Sequence, residues 1–431
     1  MSGVVAVVAV TLLAYALVER LLRRTPLSGA IVFTAVGLLA SGQVAGLITP
    51  SHSGHAATLV LELTLVLVLF TDAMAIHVSA WGTERRLPGR LLGIGLPLTM
   101  AAGGIVAWPL IPGLGVAGAA LLASVLAPTD SALGLPVITD GRVPLLIRHA
   151  LNVEGGLNDG LALPFVTIFL AVALEEEGVV GGGHVVQVFL RAILASGGIG
   201  AAIGVAGSFA LRWSMARGWS ARHWRSVALL SMAALSFALA DAIGGSGFIA
   251  AWVAGFSAGV ASRGTLAEAQ QTPEELANAG TSVSFALFGA VFLAPALGHV
   301  TWQAVAYAVL SLSLIRLVPV AVSLLGTGLA PPTVAYIGWF GPRGLASIVF
   351  VVLTVEGSKL PHSDSIVVAV VATITLSVYA HGLSSRPLTD RYSRWFAGHP
   401  RHDLPPMESV PAPHQRWRRP TAAPVAGRAP D

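Results

Sequence analysis

Apolar residues run in blocks of about twenty, each closed by a short polar or charged segment. A block of that length crosses the hydrocarbon core of a bilayer as one helix. Thirteen blocks are visible, at about residues 3–22, 27–48, 57–78, 91–110, 116–138, 146–174, 184–212, 225–243, 246–262, 279–297, 301–325, 332–355 and 364–383. The eighth and ninth are separated only by Gly244-Gly245-Ser246-Gly247. The first block has no basic segment before it and is followed by Glu19-Arg20-Leu21-Leu22-Arg23-Arg24, the reverse of the charge order in a cleaved signal peptide. The pattern predicts an all-α polytopic membrane protein of about thirteen transmembrane helices.

Charge placement fixes an orientation. With the N-terminus outside, each odd-numbered span is followed by a cytoplasmic segment. Of the 25 Lys and Arg residues, all but four then fall on the cytoplasmic side. Arg191 and Lys359 lie at the outer side with Glu175-Glu176-Glu177, and Arg316 and Arg343 lie within the membrane. This positive-inside distribution points to an integral protein of the cell (inner) membrane of a prokaryote. It also accounts for the net charge of +4 without a nucleic-acid partner.

Composition agrees. Charged residues make up 11% of the chain, against about 25% in soluble domains, which excludes an ordinary soluble fold and a disordered chain. The 48 glycines suit closely packed helices. The absence of cysteine excludes disulfides, thiolate nucleophiles and Cys-based zinc sites. Twelve histidines are scattered without an i,i+4 pair, so no structural metal and no cofactor is expected. Residues 1–385 form the transmembrane domain. Residues 386–431, rich in Pro, Arg and Ala, read as a disordered cytoplasmic tail in contact with membrane lipids.

The charges left inside the membrane are Glu62, Asp72, Asp130, Glu154, Asp159, Arg316 and Arg343, with Asp241 and Glu356 nearer the edges. Each costs about 2.5–3.5 kcal/mol at a span centre, so each needs a partner or a function. Two spans are interrupted at such charges: the fifth by Ala127-Pro128-Thr129-Asp130-Ser131 and the twelfth by Gly341-Pro342-Arg343-Gly344. Ordinary proline kinks are common in membrane helices, but a kink does not need a buried acid or arginine beside it. Broken helices persist at membrane depth where they line a cavity or are buried in protein. An acid on one break and an arginine on the other would offset the half-helix end charges. The breaks lie seven spans apart, so they correspond if spans 1–6 and 8–13 are two six-helix repeats, the second inverted. In transporters of that design the discontinuous helices mark the ion site.

The sixth span opens with Asn152-Val153-Glu154-Gly155-Gly156-Leu157-Asn158-Asp159-Gly160. Glu154 and Asn158 share a helix face, while Asp159 lies about 140° away from Glu154. One carboxylate can therefore bridge to a basic residue while the other faces a cavity, where protons and metal cations compete for it. In a soluble loop Asn-Asp-Gly would be a plain turn, but here it runs straight into an apolar span.

Together these residues resemble the monovalent cation/proton antiporter family, in its NhaP and sodium/proton exchanger branch. The resemblance is carried by Pro128-Thr129-Asp130, by Glu154-Gly-Gly-Leu-Asn158-Asp159 and by Gly341-Pro342-Arg343-Gly344. Gly245-Ser246-Gly247-Phe248-Ile249-Ala250, Phe285-Ala-Leu-Phe288-Gly289 and Leu314-Ile315-Arg316 extend it over nearly all of residues 1–385. It implies that Asp159 binds the transported cation or a proton, that Asn158 is the amide of the Asn-Asp pair, and that the Thr129 carbonyl is a cation ligand. It further implies that Asp130 steadies the broken helices near Arg343 and that Glu154 pairs with Arg316. A core of spans 4–6 and 11–13 (roughly residues 91–174 and 301–383) would move against a scaffold that carries a homodimer interface.

Three departures from the family pattern stand out: Gly155 where relatives carry Ser, Ala127 and Ser131 where they carry Asp and Pro, and Asp72 one position beyond the usual acid. Asp72 is retained as a candidate ligand. The reading that follows is exchange of H⁺ for Na⁺, with K⁺ or Li⁺ as alternatives, for cellular pH homeostasis. With Asn158 neutral, one carboxylate trades one cation for one proton, which makes the exchange electroneutral. Two rivals are a cation-coupled solute symporter on a related fold and an intramembrane serine protease built on Ser246 with His299 or His381.

Overall fold

Each of the thirteen apolar blocks carries a helix. They are α1 (Ser2–Leu22), α2 (Gly29–Ala40), α3 (Pro50–Met74), α4 (Arg86–Leu110), α5a (Val116–Leu126) and α5b (Ser131–Ile138), α6 (Leu145–Glu176) and α7 (Val185–Ala216). There follow α8 (Arg222–Ala242), α9 (Gly247–Ser262), α10 (Gln271–His299), α11a (Trp302–Leu312) and α11b (Leu314–Ser323), α12a (Pro331–Trp339) and α12b (Leu345–Glu356), and α13 (Ser363–Ala397). The computed structural model describes residues 2–22, 25–48, 50–76, 86–178, 185–356 and 360–398. Arg23, Arg24, His77, Arg85, Lys359 and the tail from residue 399 lie outside the described residues. Ten of the helices are long and apolar enough to cross a membrane. The shorter α2 and α9 and the divided α12 complete the set.

Polar residues start the helices where the sequence needs them. Ser28, Ser246 and Thr301 each accept a hydrogen bond from the backbone N–H three residues on, which satisfies one of the donors left open at a helix N-terminus. Both expected interruptions are present, at residues 127–130 and 340–344. A third was not foreseen. Ser313, at φ −112° and ψ −99°, separates α11a from α11b three residues before Arg316. Without proline or glycine there, periodicity gives no warning of it.

The unbroken helices pack through glycine. A Cβ at Gly255 of α9 would overlap the Phe70 carbonyl of α3, and one at Gly37 of α2 would overlap the Ala286 carbonyl of α10. Small residues let helix backbones touch where lipid supplies no hydrophobic drive for association. The broken helices are crossed instead by polar ties. Glu154 of α6 and Arg316 of α11b form a 2.6 Å ion pair, both side chains buried. At one end of the bundle, Arg142 bonds Asp140 at 2.7 Å and Asp390 of α13 at 2.6 Å, which holds Asp140 below the usual carboxylate range.

The expected tail boundary needs correction. Helix α13 continues to Ala397, so residues 386–397 are ordered helix rather than disordered extension. Their order comes from α12a. Tyr336 and Thr389 share a 3.0 Å hydrogen bond, as do Thr333 and Tyr392, and the Tyr336 and Tyr392 rings stack at 4.2 Å. These contacts join residues more than fifty positions apart, beyond the reach of local composition.

Two stability effects follow. Arg316→Ala leaves the Glu154 charge buried and alone and should cost about 3–5 kcal/mol. Arg142→Ala, at an exposed pair, should cost about 1 kcal/mol or less. Thermal unfolding in detergent, followed by intrinsic fluorescence, compares them, and equal effects would contradict the burial argument. A chain ending at Ser385 should unfold about 5 °C lower than one ending at Gly398, from the loss of two buried hydrogen bonds and the Tyr392 ring. Truncation at Gly398 should match the full chain.

Candidate functional site: the crossing of two broken helices

The two breaks meet, and each residue of Gly341-Pro342-Arg343-Gly344 has a distinct place there. The Pro342 carbonyl accepts the Asp130 N–H at 2.7 Å. Arg343 Nη1 donates to the carbonyls of Ala127 at 2.5 Å and Pro128 at 2.9 Å, which puts a cation on the negative end of α5a. The Arg343 N–H donates to Ser377 Oγ of α13 at 2.7 Å. A Cβ at Gly341 would crowd the Arg316 guanidinium, and one at Gly344 would overlap the Asp130 carboxylate. Only glycine leaves room for both charged groups.

Asp130 answers Arg343 from the other chain segment. Its Oδ1 accepts from the N–H groups of Ala132 at 2.7 Å and Leu133 at 3.1 Å, at the start of α5b. Its Oδ2 accepts from the Leu345 N–H at 2.8 Å, at the start of α12b. One carboxylate thus caps two half-helices whose positive ends converge. Asp130 steadies the crossing by holding N-termini, while Arg343 holds the opposite, C-terminal end of α5a.

The α6 residues stand beside this crossing. Asn158 Nδ2 donates to Thr129 Oγ1 at 2.6 Å, which leaves the amide oxygen pointing elsewhere. Asn158 Oδ1 and Asp159 Oδ1 are both buried and have no hydrogen-bond partner among the described residues. Buried polar atoms are normally satisfied, and exceptions ask for a functional explanation. A carboxylate oxygen and an amide oxygen are donors of the type that hard cations take. No cluster of three or more His, Asp or Glu residues suited to a metal ion occurs among the described residues.

Asp159 lines a small polar cavity. It is lined by Asp72, Asp130, Ser131, Asn152, Asp159 and Glu274, among others. Its walls are the last turns of α3, the start of α5b, the first half of α6, the early turns of α10 and the start of α12b. It therefore lies toward the end of the bundle that carries Arg142, Arg148, Arg212 and Arg263. Asp72 lines it and accepts from Ser131 Oγ at 3.0 Å. Gly155 packs against Ser131, its notional Cβ 3.1 Å from the serine Cβ, so α6 and α5b approach closely at this point.

The expected site residues Asp159, Asn158, Thr129, Asp130 and Asp72 are thus gathered around the crossing, with Glu154, Arg316 and Arg343 as the charge partners. Trp252 of α9 was missed. It lies directly over Gly160, where any side chain would overlap the indole, and its Nε1–H is buried without a partner among the described residues. Only the pairing of a tryptophan with a distant glycine reveals it. The protease residues are otherwise engaged. Ser246 caps α9 and its N–H donates to Ser196 Oγ at 2.7 Å. His381 lies 2.8 Å from the Trp339 carbonyl and 3.0 Å from the Ser377 carbonyl. No hydrogen bond joins Ser246 to a histidine among the described residues.

Comparison with known proteins bears on the fold and the family. The solved sodium proton antiporter MjNhaP1 of Methanocaldococcus jannaschii at pH 8 shares the fold, with a TM-score of 0.75 at 17% identity over 90% of this chain and 97% of that one. The K(+)/H(+) antiporter NhaP of Alkalimonas amylolytica is 26% identical over 327 residues, 74% of this chain and 54% of the relative. The uncharacterized Na(+)/H(+) exchanger YjcE of Escherichia coli K12 is 30% identical over 216 residues, 47% of this chain and 38% of the relative. The chain spans about half the length or less of these two curated relatives. The family model for the transmembrane sodium/hydrogen exchanger matches residues 8–391, and on that match this integral membrane chain belongs to the sodium/hydrogen exchanger family of cation/proton antiporters.

Proposed function

We propose that this chain exchanges H⁺ for Na⁺ one for one, by alternating access, with cation and proton competing for Asp159. The observation that carries the reading is the pair of buried oxygens on Asn158 and Asp159 that lack hydrogen-bond partners among the described residues, with Asp159 lining a polar cavity. The neighbouring charges are already committed. Asp130 is held by three backbone N–H groups, and Glu154 is neutralised by Arg316. That leaves Asp159 to change its occupant. Thr129, Asp130 and Asp72 complete the cation site in this reading, the Thr129 backbone carbonyl as a ligand. Either ion cancels the same carboxylate charge, so a proton out for a cation in moves no net charge.

Na⁺ is the first expectation, with K⁺ and Li⁺ as the alternatives to rank, because the relatives carry names for both Na⁺ and K⁺ exchange. In this reading the cavity faces the cytoplasm of a prokaryotic cell, since it opens at the arginine-bearing end. Helices α4–α6 and α11–α13 form the moving core. The remaining helices are the scaffold, and the exposed Val5, Val10, Leu13, Leu17 and Leu21 of α1 supply an apolar face for a second copy.

Purified protein in liposomes with a trapped pH dye and an imposed cation gradient tests the reaction. Asp159→Asn should reduce exchange to the level of empty liposomes while leaving thermal stability intact. Wild-type activity in that variant would remove Asp159 from the mechanism. An imposed membrane potential should leave the direction and extent of exchange unchanged. A process that moved one net charge would shift its equilibrium by about 2.3 kcal/mol per 100 mV.

A further inference from the structure

A second polar cavity, of about 430 Å³, lies apart from the ion site, between the α7–α8 corner and the connection from α9 to α10. Arg222, His223, Arg225, Ser226, Thr265 and Gln271 supply its hydrogen-bonding walls. Glu268 is the one acid among its lining residues and is paired with Arg222. Arg225 donates from Nη2 to the Ser220 carbonyl at 3.2 Å, while its Nε is buried without a partner among the described residues. Helix α8 begins here after Ala221 with no side-chain cap, so the positive end of its dipole adds to the arginines.

The rim shows where this cavity sits. Trp213, Trp219 and Trp224 surround the corner, and Trp219 and Trp224 are 67% and 60% exposed. Arg217 stacks 3.9 Å over the Trp213 ring and 5.7 Å from that of Trp219. Exposed tryptophans interleaved with arginine at the end of a membrane helix mark the headgroup level of the bilayer. A cationic pocket at that depth recognises a phosphate that carries net negative charge and is tethered to acyl chains.

We propose that this pocket binds the headgroup of an anionic phospholipid, with Arg222 and Arg225 on the phosphate and the tryptophans against the glycerol and upper acyl region. The pocket borders the first turn of α10 at Gln271 and Thr272. Glu274 and Asn278 of the same helix line the cavity that leads to Asp159. A bound lipid therefore steadies the helix at the mouth of the ion cavity and speeds exchange.

The test uses the full chain. Retention of phosphatidylglycerol against phosphatidylcholine is measured by native mass spectrometry, a readout that does not depend on antiport. The double variant Arg222→Gln/Arg225→Gln should lose phosphatidylglycerol preference by about 30-fold. Glu268→Gln should raise that preference, an opposite change that misfolding would not produce. In phosphatidylcholine vesicles the double variant should exchange ions as wild type does, and adding phosphatidylglycerol should accelerate only wild type. Unchanged lipid retention in the double variant would overturn the site. Displacement of the lipid by millimolar inorganic phosphate would reassign it to a soluble anion. Loss of preference with no change in exchange would sever the link to α10 and leave the antiport reading standing.

Discussion

A backbone interrupted at membrane depth must find partners for its freed N–H and C=O groups within the protein. Two such interruptions are brought together here, and each satisfies the other. Asp130 takes N–H groups from the starts of both α5b and α12b, and Arg343 takes carbonyls from the end of α5a. The opposite charges sit on opposite helix ends, so each break offsets the end charges of the other. The glycines at 341 and 344 follow from this crossing, because the space they leave is filled by Arg316 and Asp130.

The residues of α6 lie beside this mutual bonding. Asp130 and Arg343 are tied to backbone groups of the half-helices, Glu154 to Arg316, and Asp72 to the Ser131 hydroxyl. Thr129 occupies the Asn158 amide N–H₂. Among the acceptor atoms beside the crossing, one Asp159 carboxylate oxygen and the Asn158 amide oxygen have no hydrogen-bond partner among the described residues.

The other helices follow a different rule. They touch backbone to backbone through glycine, as α9 does on α3, which gives smooth contacts with few polar ties. The helices bearing the breaks are tied by buried polar bonds, such as Ser347 to the Val125 carbonyl at 2.7 Å. Where the glycine-packed helices reach the bilayer surface, tryptophan and arginine replace glycine, and the pocket at Arg222 and Arg225 opens to lipid rather than to the ion path.

The sequence by itself determined the thirteen spans, the two proline-marked breaks and the separation of Glu154 from Asp159. Hydrophobic length, proline chemistry and helical spacing are local, and an unpaired charge in an apolar block stands out without a fold. The chain did not reveal the break at Ser313, the order of residues 386–397, the placement of Trp252 over Gly160 or the division of labour between Asp130 and Arg343. Those depend on which segments meet. A hydrogen bond from Leu345 to Asp130, or from Thr333 to Tyr392, joins residues whose own surroundings give no sign of each other. Only tertiary structure decides them, because satisfying a buried polar group is a property of its neighbours in space and not of its neighbours in sequence.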